Sequence, residues 1–286
     1  MEDVSILAWV FDNEIKNEKG EVLDFSDRLF LLDILTDWSQ EIVIKKCSQV
    51  GGSVVFNLKT FFAVLKLGWN AIYTMPTDGD VLGFVRTKTN PILQQNPHVF
   101  TDMDTDSIEL KQLGDRFLRF KGTISKTAAI SDSSDLNVHD EASRSDQQII
   151  GMYKSRQDAS QYKRRWFFSN PTTEKDIIDQ KWKESDQKEW VCTCDNGHNE
   201  MVKWPNSVDI DRKMFICSIC KVELSREQRR KGHWEAQYPE NKISGYHISH
   251  LIAPWKTAEE IIKDSEGDQE YFFNFVLGEP YNPGDL

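Results

Sequence analysis

The sequence predicts an α/β fold with a mainly parallel sheet flanked by helices, plus a small cysteine-bearing insert. Three observations carry this. Glu41–Lys46 (EIVIKK) is a short β-branched run that ends in a glycine-bearing loop, and an apolar helix follows over 54–67, ended by Gly68. Ala71–Met75 (AIYTM) is a second strand, stopped by Pro76 and followed by a helix over 80–93 with an acidic start and Pro91 near its end. Strand, loop, helix, strand, helix is the rhythm of a parallel sheet. Between Trp190 and Trp234 the apolar periodicity fades and four of the five cysteines appear.

The remaining elements follow from the same patterns. The stretch 27–38 (DRLFLLDILTDW) has apolar residues at helical spacing. Further strands are expected over 117–121, 136–139 and 165–169. The strand over 136–139 is interrupted by Asn137 and His139, so it is expected to be only half-buried. There is no internal repeat. The expected division is a core with its N-terminal segment over 1–189, a metal-binding insert over 190–234, and a return to the core over 235–286.

Composition narrows the function classes. The chain has 286 residues, 39% hydrophobic and 28% charged, which suits a globular protein with a sizeable core. Its net charge of −11 speaks against a general nucleic-acid coat, but allows a protein that grips DNA along one narrow basic surface. The cations Lys154, Arg156, Lys163, Arg164 and Arg165 are the candidate for that surface. A solvated charged face is the plainer reading of such a run. No apolar run reaches the ~18 residues of a membrane helix. The acidic start, MEDVSILAWVFDNE, lacks the basic opening of a secretory signal, so an intracellular protein without a membrane partner is expected.

Three short segments carry candidate chemistry. A loop between a strand and a helix N-terminus is a natural anion site, because free backbone N–H groups and the helix dipole both favour phosphate. Here that loop is Lys45-Lys46-Cys47-Ser48-Gln49-Val50-Gly51-Gly52-Ser53. Gly51 and Gly52 let the backbone turn and approach a ligand closely, and Ser53 stands where a hydroxyl holds Mg²⁺. The pattern G-x-x-x-x-G-K-[ST] is not met, since Gly52 occupies the lysine position and the nearest cations are Lys45 and Lys46. Asp140 and Glu141 follow a strand, as a nucleotide hydrolase needs: one carboxylate for Mg²⁺ and one to activate water. Ser169-Asn170-Pro171-Thr172 is a polar turn at a strand end, where open α/β sheets bind ligands. An ordinary glycine turn, a solvated acidic turn and a simple Asn-Pro turn are the competing readings.

Cys192 and Cys194 form one close pair and Cys217 and Cys220 another, about two dozen residues later, with His198 beside the first. Thiolates and imidazole bind Zn²⁺ tetrahedrally, and a closed four-ligand site is structural. Three ligand sets fit: all four cysteines, or His198 in place of Cys192 or of Cys194. The all-cysteine set is the expectation.

The runs KKCSQVGGS, YTMPT, HDEASR and WFFSNPTT, in that order, resemble the ATPase domain of tailed-phage large terminases. Among these the chain looks closest to a subgroup with a zinc-type insert before GYHISHLIAPW. The resemblance runs from about residue 5 to residue 281. It implies a P-loop NTPase of the additional-strand (ASCE) type that uses ATP and Mg²⁺. Lys46 matches the displaced lysine of a deviant Walker A, and Gly51 and Ser53 match its Gly and Ser, so the loop from Lys46 through Ser48, Gln49, Val50, Gly51 and Gly52 to Ser53 would hold the nucleotide. Asp140 and Glu141 match Walker B and the catalytic carboxylate. Ser169, Asn170 and Thr172 fall on the coupling motif, and Pro76-Thr77 on a segment used near DNA. Arg144 is a candidate for sensing phosphate or acting on a neighbouring subunit.

The implied partners are double-stranded DNA, the portal protein and the small terminase subunit, in a homo-oligomeric ring in the host cytoplasm. The segment FVLGEPYNPGDL resembles the linker to the family's nuclease domain, so no DNA cleavage is expected from this chain. Two other classes remain: a non-hydrolysing, zinc-stabilised nucleic-acid or assembly module with a decayed P-loop, and a helicase-like ATPase outside packaging.

Overall fold

The computed structural model describes residues 5–101, 103–124, 129 and 132–284. The first strand, β1 (Glu41–Lys46), has a buried run from Ile42 onward and leads through the glycine loop into a helix over Gly52–Leu65. Next come β2 (Ala71–Met75), β3 (Met103–Asp106), β4 (Leu110–Leu113), β5 (Arg116–Gly122), β6 (Leu136–Asp140) and β7 (Arg164–Ser169). The strands β8 (Lys188–Thr193), β9 (Asn199–Met201), β10 (Val208–Asp209), β11 (Met214–Phe215), β12 (His233–Ala236) and β13 (Ser244–Ile248) follow. The predicted β1 and β2 are reproduced, and the predicted spans in β5, β6 and β7 each extend by one or two residues.

The chain forms two compact units. The first holds residues up to Leu23, Leu35–Glu41 and Gly51–Phe167; the second holds Asp24–Ile34, Ile42–Val50 and Phe168–Leu286. In the first, β2 lies between β5 and β6, parallel to both, while β4 and β3 extend the sheet antiparallel beyond β5. The helix over Gly52–Leu65, α1 hereafter, packs on β2, β5 and β6. In the second, β13 runs parallel to both β1 and β8, and β12 and β9 pair antiparallel with β8. The insert is thus a sheet-borne excursion: β8 enters it, and β12 returns alongside β8.

Two expectations change. The helix over 80–93 runs from Asp78 to Gln95 through a widened π turn at Val85–Thr89, and Thr77 opens it with a capping box to Asp80. Strand β6 is not half-buried, because all five of its residues are buried. Its polar side chains are satisfied internally. Asn137 donates to the Tyr153 carbonyl (2.9 Å) and accepts from Ser134, while His139 Nδ1 meets the Thr74 hydroxyl at 2.7 Å and stacks on Phe167. A buried polar group costs little once hydrogen-bonded, so polarity alone does not expose a strand.

α1 also buries a lysine amine. Lys59 is fully enclosed, donates to the Asp37 carbonyl, and lies 4.4 Å from the Trp166 ring and 4.9 Å from that of Trp38. Burial pulls its pKa down to about 7, against a smaller opposing pull from Asp37.

Candidate functional site

The loop after β1 has the geometry of an anion cradle. Gln49 (φ 55°) and Gly51 (φ 90°) are both left-handed, and Gly51 caps α1 without a side-chain hydrogen bond. Gly51 has no side chain to cap the first-turn N–H groups of this 14-residue helix, which begin at Gly52, Ser53 and Val54.

The start of the loop is committed elsewhere. Cys47 N donates to the Ile248 carbonyl (2.7 Å) and Ser48 N to that of Phe275 (2.9 Å), while His250 Nε2 lies 2.9 Å from the Ser48 carbonyl. The amide of Ser48 is thus bound within the protein and is not available as a phosphate donor.

The two lysines of β1 project to opposite faces, as alternate strand residues must. The Lys45 ammonium pairs with Glu279 and sits 4.8 Å from the Trp182 ring. Lys46 is buried, and its carbonyl accepts from Asn170 Nδ2 at 3.0 Å. That same Asn170 amide reaches the Asn274 carbonyl at 3.3 Å. Ser169 Oγ donates to the Asn170 carbonyl, and Thr172 binds Asp176 through both its N–H (2.5 Å) and its hydroxyl (2.9 Å). The polar turn therefore grips the end of β1 through the Asn170 side chain, which holds the Lys46 carbonyl.

In the first unit, Asp140 is 1% exposed, and its Oδ2 accepts from the Tyr73 hydroxyl at 2.8 Å. Its Oδ1 accepts from Glu141 N at 2.9 Å. Burial, then the charge of Asp140, hold Tyr73 far above its ordinary pKa, so it remains a neutral donor. Glu141 takes a left-handed conformation (φ 50°, ψ 42°), unusual for a non-glycine residue and found where function over-determines the backbone. It turns the chain out of β6 into a short turn ending at Arg144, which is exposed. Sequence reasoning passed over Tyr73. The signal was the phenol of Tyr73, beside Thr74, in the otherwise apolar run AIYTM.

The five candidate DNA-facing cations do not form one exposed face. Arg164 lies over Trp69 (5.7 Å), Arg165 pairs with Glu41 (3.0 Å) and Arg156 is half-buried against Ser155, so Lys154 and Lys163 are the exposed members. Pro76 and Thr77 serve the opening of the next helix: Thr77 caps it, and the Pro76 carbonyl accepts from Thr123.

The metal group departs from the all-cysteine expectation. Cys194, His198, Cys217 and Cys220 present ligand atoms that all lie within 4.8 Å of one another. Cys194 Sγ is 3.5 Å from His198 Nδ1 and 3.8 Å from Cys220 Sγ, and Cys217 Sγ is 3.8 Å from His198 Nδ1. A tetrahedron with bonds of ~2.3 Å to sulfur has edges of about 3.8 Å, so the donor set fits a zinc ion. Cys192 lies outside the group: it is buried within β8 with its Sγ toward the Arg229 carbonyl (3.9 Å).

The reason is local. Cys194 and His198 sit across a tight turn closed by Cys194 N to the His198 carbonyl (3.0 Å), with Gly197 left-handed. That turn folds His198 back, whereas the extended strand carries Cys192 away. Cys217 and Cys220 lie in a second turn, with Lys221 at φ 61° and Cys217 N donating to Val222 (2.7 Å). Glu200 braces this second turn by accepting from the N–H (2.8 Å) and hydroxyl of Ser218.

A mostly parallel sheet, a glycine loop leading from a strand into a helix and a buried carboxylate at a strand end match the fold of P-loop ATPases. The family model for the phage terminase large subunit gpA ATPase domain matches residues 32–236. The chain belongs to that family, and so is the ATPase domain of a viral DNA-packaging motor. The competing assignments to a decayed module or to a helicase outside packaging are not favoured.

Among solved structures, the Thermus phage P74-26 large terminase ATPase domain aligns with a TM-score of 0.59 at 10% identity, over 95% of this chain and 97% of that one. The bacteriophage HK97 large terminase aligns with a TM-score of 0.62 at 12% identity, over 96% of this chain and 55% of that one. The large terminase of a thermophilic bacteriophage, in complex with ADP, gives 0.53 at 10% identity, over 86% of this chain and 52% of that one. The chain therefore spans about half the length of the last two proteins. At these identities the likeness is one of fold. No match is found among curated protein sequences. Among the described residues, no helix is long and apolar enough to cross a membrane.

Proposed function

We propose that this domain hydrolyses ATP and couples the reaction to movement of double-stranded DNA. The observation that carries the reading is Asp140, a buried carboxylate oriented by Tyr73 and the Glu141 amide at the end of a strand on which α1 packs. In this reading, loop amides from Val50 to Ser53 cradle the phosphates and Lys46 supplies the cation that position 52 lacks. Ser53 and, through water, Asp140 would hold Mg²⁺, which when bound offsets charge on the β- and γ-phosphates. Glu141 orients a water molecule and accepts its proton as the oxygen attacks the γ-phosphorus and the bond to ADP breaks. Asn170 joins the Lys46 carbonyl to that of Asn274, so a shift of the loop reaches the turn over 272–277.

Zn²⁺ on Cys194, His198, Cys217 and Cys220 would staple an excursion too small for its own core. Arg144 would act on a neighbouring copy in a ring, and Lys154 and Lys163 would contact DNA phosphates. The portal and small terminase subunit are the further partners this places in the infected host cell.

The test is ATP turnover with and without double-stranded DNA. Glu141→Gln should lose about 10²- to 10⁴-fold in turnover while keeping ATP binding. Unchanged turnover in that variant contradicts the reading, as does a wild type that binds no ATP.

A further inference from the structure

The second unit contains a chain of ionisable side chains in contact, Lys45, Glu279, His247, Glu189 and Lys203, that the proposed hydrolysis does not use. Lys45 on β1 pairs with Glu279, whose second oxygen lies 3.4 Å from His247 Nε2 on β13. His247 Nδ1 lies 3.0 Å from Glu189 on β8, and Glu189 pairs with Lys203 at 2.9 Å. Burial alone would raise both carboxyls. His247 and Lys203 outweigh it and bring Glu189 down to about 2, while His247 and Lys45 hold Glu279 below the ordinary range.

Glu279 stands at a structurally committed point. Its N–H closes a turn onto the Phe273 carbonyl (2.9 Å). The preceding residue, Gly278, has φ 66°, and a Cβ there would stand 2.8 Å from Cys47 N and from the Ile248 carbonyl. The backbone at 278 thus lies against the Lys46–Cys47 peptide of the loop with no room for a side chain. One residue further, the Glu279 carboxylate takes hold of Lys45, whose side chain is only 4% exposed. Strand residues alternate in facing, so fixing Lys45 on one face of β1 commits Lys46 to the other.

We infer that Glu279 is a positioning residue for the phosphate loop: by gripping Lys45 it sets the strand face from which Lys46 approaches the nucleotide. The inference rests on the ATP reading of the loop. It also explains why two adjacent lysines precede the glycines, one serving as an anchor and one as a ligand.

The test is steady-state ATPase kinetics of the full chain for wild type, Glu279→Gln, Lys45→Met, the double variant and Lys45→Arg, with melting temperature followed in parallel. Losing one charge-assisted pair should raise KM for ATP roughly tenfold in each of Glu279→Gln and Lys45→Met, with kcat changed less. The double variant should be no worse than either single one, because both remove the same interaction. Lys45→Arg keeps the pair and should keep the wild-type KM. Should Glu279→Gln not fold, Lys45→Met against Lys45→Arg carries the same comparison. An unchanged KM in the folded charge-removing variants, or strictly additive losses in the double variant, overturns the inference. A wild type without ATP binding instead overturns the reading beneath it.

Discussion

The phosphate loop and the metal knuckle are both turns at strand ends, yet they gather ligand atoms in opposite ways. The loop offers backbone N–H groups, so its competence depends on Gln49 and Gly51 turning left-handed and on what holds its ends. The knuckle offers side chains, so its competence depends on residue type at four positions. Information about the two sites resides in different places. A side-chain site is written in composition and then selected by turn geometry. A backbone site is written in what surrounds it: for this loop, the carbonyls of Ile248 and Phe275 and the anchor at Lys45.

Breaking the knuckle should give the largest effect. His198→Ala or Cys217→Ala should abolish stoichiometric zinc binding, measured by metal analysis of the purified chain, and should unfold the 194–232 excursion. Cys192→Ala should retain one zinc per chain. Loss of zinc from Cys192→Ala with retention in His198→Ala would restore the all-cysteine set.

A subtler change sharpens the other side of the comparison, because the loop depends on the helix that it opens. Lys59 lies in that helix with a pKa of about 7, below its ordinary value. Between about pH 7 and pH 10 the unfolded chain holds a proton on this lysine that the folded chain lacks, so folding stability should rise with pH across that window and level off below it. The slope from this group is about 1.4 kcal/mol per pH unit. Lys59→Met should flatten that rise, as read by denaturant unfolding at pH 7 and pH 9. An equal rise in both proteins would place the titration on another group.

Much of the architecture was legible because β1 carries the β-branched run Ile42–Ile44, β2 is mostly apolar, and both end at strong turn signals. Strand β13, Ser244–Ile248, was missed because Gly245 and His247 interrupt its pattern. Its burial depends on partners distant in sequence, His247 on Glu189 and Gly245 N on Asp186. The half-buried expectation for β6 failed for the same reason: Asn137 and His139 are satisfied by Tyr153 and Thr74, which no local window reveals. At the knuckle the residue types were plain, and the turn Asp195-Asn196-Gly197 between Cys194 and His198 was the overlooked cue. In the loop, the choice between Lys45 and Lys46 was open in sequence, because only the fold brings Glu279 beside Lys45.

A structure of the chain with Mg²⁺ and a slowly hydrolysed ATP analogue tests the central claim most directly. The account expects phosphates on the amides of residues 50–53, the Lys46 ammonium against the β- or γ-phosphate, and one magnesium ion bound by Ser53 with Asp140 behind a water molecule. Phosphates bound away from this loop, or a magnesium ion with neither Ser53 nor Asp140 near it, would contradict it.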